Sequence, residues 1–191
     1  MGTALKQECK AYYEVLDGQP VAMASATANH GIVAGNIYGI FRGFLKGKFC
    51  RVFSELDVVL FDKDTFIPDV TVVCRPDIIK TNGIHGAPDL VVEVLSPSTM
   101  KRDRGYKMQA YAKCGVKEYW LVEPESRAIE VYLLKDGVFE FNNGYALHLS
   151  CMVGKMSDEE KVAIVYEFSP SIFEDMVIRV EDVFEGLLGD F

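Results

Sequence analysis

The stretch APDLVVEVLSPSTMKRDRGYK, residues 87–107, sets one carboxylate, Glu93, in the middle of a Leu- and Val-rich run before Ser-Pro-Ser leads into a helix-forming segment. β-Branched bulk of this kind reads as a strand, here 89–96. Side chains alternate along it, so Asp89, Val91, Glu93 and Leu95 share one face and Leu90, Val92 and Val94 the other. At roughly 3.3 Å per residue, Asp89 stands about 13 Å from Glu93, too far for the two to hold one small ion. A helix over about 99–114 follows and stops at Gly115, a residue favoured just past a helix end.

Working outward, RVFSELDVVLF (51–61) and FIPDVTVVC (66–74) predict two strands upstream, and KEYWLVEP (117–124) and AIEVYLLKDGVFEFN (128–142) two more downstream, the last run turning at Asp136-Gly137. Before them, Ile32, Val33, Ile37, Ile40, Phe41, Phe44 and Leu45 recur at helical spacing. Thr27 or Asn29 could cap this helix and Gly47 could end it. Gly31, Gly35, Gly39 and Gly43 fall every fourth residue, which predicts a tightly packed helix. Residues 13–24 read as a hairpin around Asp17-Gly18. The order hairpin, α, β, β, β, α, β, β predicts a single mixed-sheet α/β domain over 1–191, with no repeat or linker.

The net charge of −8 is uneven. Residues 157–191 hold ten acids against Lys161 and Arg179, and the other residues balance, so the chain is not a basic nucleic-acid binder. No apolar run reaches the roughly 18–20 residues a bilayer span needs. The N-terminal segment lacks the apolar core of a signal peptide, and the expectation is a cytoplasmic protein without membrane contact. Five scattered cysteines without a C-x-x-C pair argue against a disulfide framework or zinc knuckle and predict free thiols.

A lone acid among valines needs a partner. An antiparallel pairing of 66–74 with 89–96, centred on Thr81 and Asn82, sets Asp69 opposite Glu93 and Val73 opposite Asp89. Strands about 4.8 Å apart bring two such carboxylates within reach of one Mg²⁺ or Mn²⁺. Without a cation their repulsion and lost hydration push one toward the protonated form. In the next helix Asp103, Lys107 and Tyr111 are spaced four apart on one face. Met100, Arg104, Met108 and Tyr111 belong to the same side, so Lys107 borders the packed face. It could deliver its ammonium to the sheet edge, or form a solvated ion pair with Asp103.

FIPDVTVV, GAPDLVVEVLSPST, RDRGYKMQAYAKCGVKEYWLVEP and AIEVYLL resemble the Uma-type family of bacterial proteins, a branch of the PD-(D/E)XK restriction-endonuclease-like superfamily. The N-terminal YEVLDGQPVAMAS…NHGIV and the closing SPSIF…VEDVFE fit as well. The resemblance implies a restriction-endonuclease-like α-β-β-β-α-β core over about 27–124, with an N-terminal hairpin and extra C-terminal strands. It implies that Asp69, Glu93 and the main-chain carbonyl of Val94 bind Mg²⁺ or Mn²⁺, and that the protein hydrolyses phosphodiester bonds, in DNA above all. The superfamily's strand lysine is Leu95 here, and Lys107 matches a lysine moved to the second helix. A non-catalytic module that kept the fold, or a subunit of a larger nucleic-acid-processing assembly, is the alternative. Cleavage of both strands implies a homodimer.

Further residues could border such a site. His30 falls where the family carries histidine; Glu55, Asp89, Ser96 and Arg104 could act around the metal or on substrate, alongside Tyr111. Lys101, Arg102, Arg104, Lys113 and Lys117 crowd around the second helix, and Arg42, Lys46, Lys48 and Arg51 follow the first. Either group could meet phosphates or be ordinary surface charge. Trp120 reads as core, His85 as a solvated loop residue and His148 as incidental.

Overall fold

In the computed structural model, residues 13–23, 25–61, 63–148 and 153–189 are described. Strands β1 (Tyr13–Leu16) and β2 (Gln19–Ala22) form the expected hairpin, with Asp17 and Gly18 both at positive φ in its turn. Helix α1 (Ala28–Phe44) starts at Thr27, whose side chain accepts a hydrogen bond from the His30 main chain. Its buried Val33, Ile37 and Phe41 fall one turn apart. The row Gly31, Gly35, Gly39 and Gly43 lies on the exposed side, with nothing within 4 Å of where a Cβ would stand, so it is not the close-packing stripe expected of it.

Both long apolar runs that follow are divided between two sheets. Residues 51–61 break at Glu55, at φ 49°, into β3 (Arg51–Ser54) and β4 (Val58–Leu60). The next run breaks around Pro68, which has no main-chain N–H to donate, into β5 (Asp64–Phe66) and β6 (Val70–Val73). Then come β7 (Ile79–Lys80), β8 (Gly83–His85) and β9 (Leu90–Val94), the strand that carries Glu93. After the second helix, β10 (Glu118–Glu123) lies parallel to β9, and β11 (Ala128–Lys135) and β12 (Val138–Ala146) add a hairpin through Asp136-Gly137. One six-stranded sheet has the order β12-β11-β10-β9-β6-β3 and the other β2-β1-β5-β4-β8-β7. The fold is the expected mixed α/β one, with the mixed pairing spread over two sheets rather than one.

The sheet that holds β9 is buried on both faces. Val70, Val72, Leu90, Val92 and Val94 pack with Trp120 against α1. On the other face Val73, Val91 and Leu95 pack with Tyr111 and Tyr119 and meet Val58, Phe66 and Ile84 of the second sheet. The acidic C-terminal segment belongs to the first of these cores. Its short strands β13 (Glu167–Phe168) and β14 (Ile178–Arg179) deliver Phe168 and Ile178, and Val183, Phe184 and Leu187 follow. Asn29 and Asn36 on α1 tie it down by hydrogen bonds with the main chain of Leu188, Val183 and Glu185.

Cys50 and Cys74 form a disulfide, which corrects the expectation of free thiols. Pairing of β3 with β6 sets Arg51 against Val73, and the next pair outward brings the two cysteines to a Cα separation of 4.1 Å. Their sequence separation of 24 carried no hint of that register. Cys114 is free, and Cys9 and Cys151 lie outside the described residues.

Candidate active site

Strands β6 and β9 pair antiparallel with Val70 opposite Val92, Thr71 opposite Val91 and Val72 opposite Leu90. One further step of this register sets Asp69 against Glu93, the pairing anticipated from the two sequences. Both side chains are buried. Asp69 Oδ2 accepts the Val94 main-chain N–H at 2.6 Å, and His30 Nε2 lies 2.8 Å from Asp69 Oδ1. The start of α1 is thereby joined to the start of β6. His30 Nδ1 is buried without a hydrogen-bond partner among the described residues.

The second helix supplies the cation. It begins as an α-turn, α2 (Met100–Arg102), widens into a π-helical segment over Asp103–Lys107, and resumes as α3 (Met108–Cys114) before Gly115 closes it at φ 94°. Asp103 and Lys107 are both buried in this wide segment, whereas Arg104 points outward and Met100 and Met108 are half-buried. Regular helical spacing had grouped Arg104 with the packed side. The Lys107 ammonium lies 2.7 Å from Glu93 Oε1, 2.9 Å from Glu14 Oε1 and 3.4 Å from Asp103 Oδ1. The Asp103–Lys107 pair is therefore real but not solvated. The Tyr111 hydroxyl donates to Glu93 Oε1 at 3.0 Å, and the Tyr119 hydroxyl donates to the Asp103 carbonyl at 3.0 Å.

Glu14 was missed in the sequence, where it reads as one more residue of a hairpin strand. It is buried, its Oε1 accepts the Ile67 main-chain N–H at 3.0 Å, and it brings a carboxylate of the second sheet onto Lys107. The only available signal was an acid flanked by Tyr13 and Val15 on a strand, the same anomaly that marks Glu93.

These groups surround a concavity of about 420 Å³, lined among others by Glu14, His30, Asp69, Glu93, Asp103 and Lys107. Burial drives the Glu93 carboxyl well above the usual carboxylate range; Lys107 opposes this, and the charges of Asp103, Asp69 and Glu14 add to it. The Asp103 carboxyl is raised by burial too, again against Lys107. For Lys107, burial works against the charged form, but Glu93, Glu14 and Asp103 outweigh it and hold the ammonium above the ordinary lysine range. Burial likewise disfavours charged His30, yet the hydrogen bond and charge of Asp69, with Glu55 and Asp103, raise it on balance.

Among the described residues no group of three or more His, Cys, Asp or Glu side chains is disposed to hold a metal ion. The donor chemistry of the Asp69–Glu93 pair still fits a hard divalent cation, which takes carboxylate and carbonyl oxygens. Glu14, Glu93 and Asp103 put three carboxylates around one ammonium and Asp69 lines the same concavity, so the cluster is rich in acidic groups whose charge a cation would offset. The Tyr111 and Lys107 contacts both fall on Glu93 Oε1, and Oε2 takes neither.

Not every candidate converges here. Val94, Ser96 and Glu55 line the concavity, Ser96 through a hydroxyl cluster with Ser98 and Thr99 at 3.0 and 3.1 Å. Asp89, at the far end of β9, accepts from the Cys74 main chain and from Lys117, each at 2.7 Å, and lies outside the concavity. Arg104 also lies outside, forming a two-pronged pair with Glu130 at 2.6 and 3.0 Å. His85 is an exposed partner of Asn82. His148 lies on a separate shallow depression, and Trp120 is fully buried.

Known proteins share both sequence and fold with this chain. The uncharacterized Synechocystis protein slr1290 is 35% identical over 127 residues, 65% of this chain and 67% of its own. The crystal structure of a protein from Anabaena variabilis, titled as a "putative nuclease belonging to DUF820", superposes with a TM-score of 0.68 at 20% identity, covering 90% of this chain and 89% of that one. The model of the Uma2 family, described as "Putative restriction endonuclease", matches residues 4–148, a span that takes in Glu14, His30, Asp69, Glu93 and Lys107 alike. The chain belongs to the Uma2 family.

Proposed function

We propose that this protein is a metal-dependent nuclease that hydrolyses phosphodiester bonds, with DNA as its substrate. The observation that carries the reading is the Asp69–Glu93 register, with the Lys107 ammonium 2.7 Å from Glu93. The family description and the Anabaena neighbour's title support the same reaction class. Leu95, where the superfamily's strand lysine would stand, is buried in the apolar core. Lys107 brings a lysine to Glu93 from the helix instead.

Asp69 and Glu93, with the Val94 carbonyl, would hold Mg²⁺ or Mn²⁺. Such an ion, when bound, supplies Lewis-acid polarisation of the phosphate and lowers the pKa of water. The chain's own residues do the rest. Lys107, kept charged by Glu14 and Asp103 as well as Glu93, stabilises negative charge gathering on the phosphoryl oxygens. His30 fixes the orientation of Asp69, and Tyr111 that of Glu93. Hydrolysis adds one water across the P–O bond and needs no covalent intermediate. A homodimer in the cytoplasm would bring two such sites to the two strands of a duplex.

The test is calorimetric titration of Mn²⁺ into the parent and Glu93→Ala, beside a cleavage assay on labelled DNA with both proteins. Metal binding and cleavage in the parent alone are expected. Metal-independent cleavage, or equal metal binding by both, overturns the assignment. DNA binding without cleavage or metal dependence returns the alternative, a non-catalytic module.

A further inference from the structure

The basic residues around the two helices are not equivalent. Arg104 is committed to Glu130, Lys117 to Asp89 and Lys48 to Asp175, while Arg51 donates to the carbonyls of Lys48, Phe49 and Cys50. Lys107 is enclosed by three carboxylates. Arg102 differs from all of these. It lines the concavity, is half-buried, and its side chain makes no ion pair or hydrogen bond among the described residues. Its neighbour Lys101 is exposed and does not line the concavity.

This matters because the concavity is acidic. Glu14, Glu55, Asp69, Glu93 and Asp103 all line it, and a polyanion approaching those groups is repelled. A guanidinium on the wall, already freed of carboxylate partners, needs to break no existing pair in order to bind an anion. Its planar fork suits two oxygens of one phosphate. The Ser96 and Thr99 hydroxyls line the same cavity, and each can donate to a phosphate oxygen as well as accept.

From this we infer that Arg102 is the phosphate-binding residue of the site, gripping a backbone phosphate next to the one being cleaved. The inference rests on the nuclease reading and adds to it the residue that lets an acidic pocket receive an anionic strand.

The experiment measures fluorescence anisotropy of a labelled oligonucleotide, single-stranded and duplex, in Ca²⁺ with the full chain. Parent, Arg102→Ala, Arg102→Lys and Lys101→Ala are compared across a salt series, after thermal melts show that all four fold. A charge-assisted contact of this kind predicts that Arg102→Ala weakens binding about tenfold. It also predicts a log–log salt slope shallower by about one. Arg102→Lys keeps the slope and recovers part of the affinity, and Lys101→Ala matches the parent. Equal losses at 101 and 102 would mean diffuse surface charge and overturn the inference. A parent that binds while Arg102→Ala binds equally well overturns it too and leaves the nuclease reading intact. A parent that neither binds nor cleaves any oligonucleotide removes that reading and the inference with it.

Discussion

Glu14 Oε1 lies 2.9 Å from the Lys107 ammonium, so an acid from the first hairpin closes a cage around a lysine from the second helix. The same oxygen accepts the Ile67 main-chain N–H. Glu14→Ala therefore strips one buried charge of a partner and leaves a main-chain donor unmet. Lys107 keeps Glu93 and Asp103, so the loss is chiefly that of the unmet donor, about 1–3 kcal/mol. Glu14→Gln keeps an acceptor and should cost less while removing one of the three negative charges around Lys107. Urea denaturation should rank the two variants in that order, and kcat should fall in Glu14→Gln with KM little changed.

Stability should fall as pH rises from about 5 to about 8. The carboxyls of Glu93, Asp103 and Glu118 are raised by burial, and His30 is raised by Asp69 despite burial. A group raised in the folded state contributes stability that is full below its unfolded pKa and is lost as pH climbs through the folded value. For the carboxyls that loss begins above about 4, and for His30 above about 6.5. Glu93→Gln should flatten part of this slope. Melting curves across the range would check it, and a parent whose Tm rises over that interval would contradict it.

Divalent metal should act against the same slope. Coordination requires deprotonated carboxylates, so binding competes with the protons that burial favours. Mn²⁺ should raise the parent's Tm more at pH 8 than at pH 5.5, and should do little for Asp69→Asn or Glu93→Gln at either pH. A shift that is equal in parent and variants would locate the ion elsewhere.

A second buried acid has a different task. Glu118 accepts from Trp120 Nε1 at 2.6 Å and from the Ser171 main chain and hydroxyl at 2.7 and 2.6 Å. It pins the C-terminal segment to the sheet. Glu118→Ala leaves buried donors unmet, at about 2–3 kcal/mol. Trp120 is the single tryptophan, so its fluorescence should report the loosening directly. Oligonucleotide binding at the site should change little.

Much of the fold was readable from local pattern. The Asp-Gly hairpins, the Thr27 cap and the Gly115 stop are one-residue signals with a stereochemical cause. The Asp69–Glu93 register could be read because alternation and loop length constrain a pair of strands strongly. What escaped depends on contacts between distant segments. Glu14 meets Lys107 only after the second sheet packs on the first, and Cys50 meets Cys74 only through pairing of β3 with β6. The division of residues 51–61 between sheets turns on Glu55 adopting a left-handed backbone, which no residue type there announces.

The wide turn at Asp103–Lys107 works as a phase adjuster. Each residue of an α-helix turns about 100°, so one residue more or fewer rotates everything beyond it relative to everything before. Here the residues before the wide turn serve the concavity, and Ala110, Tyr111 and Ala112 beyond it serve the core. Removing a single residue between 103 and 107 would bring the helix back to ordinary pitch and set those two duties at odds. Scanning by substitution never alters that angle. The length of this segment is thus a property under constraint in its own right, separate from the identity of any side chain on it.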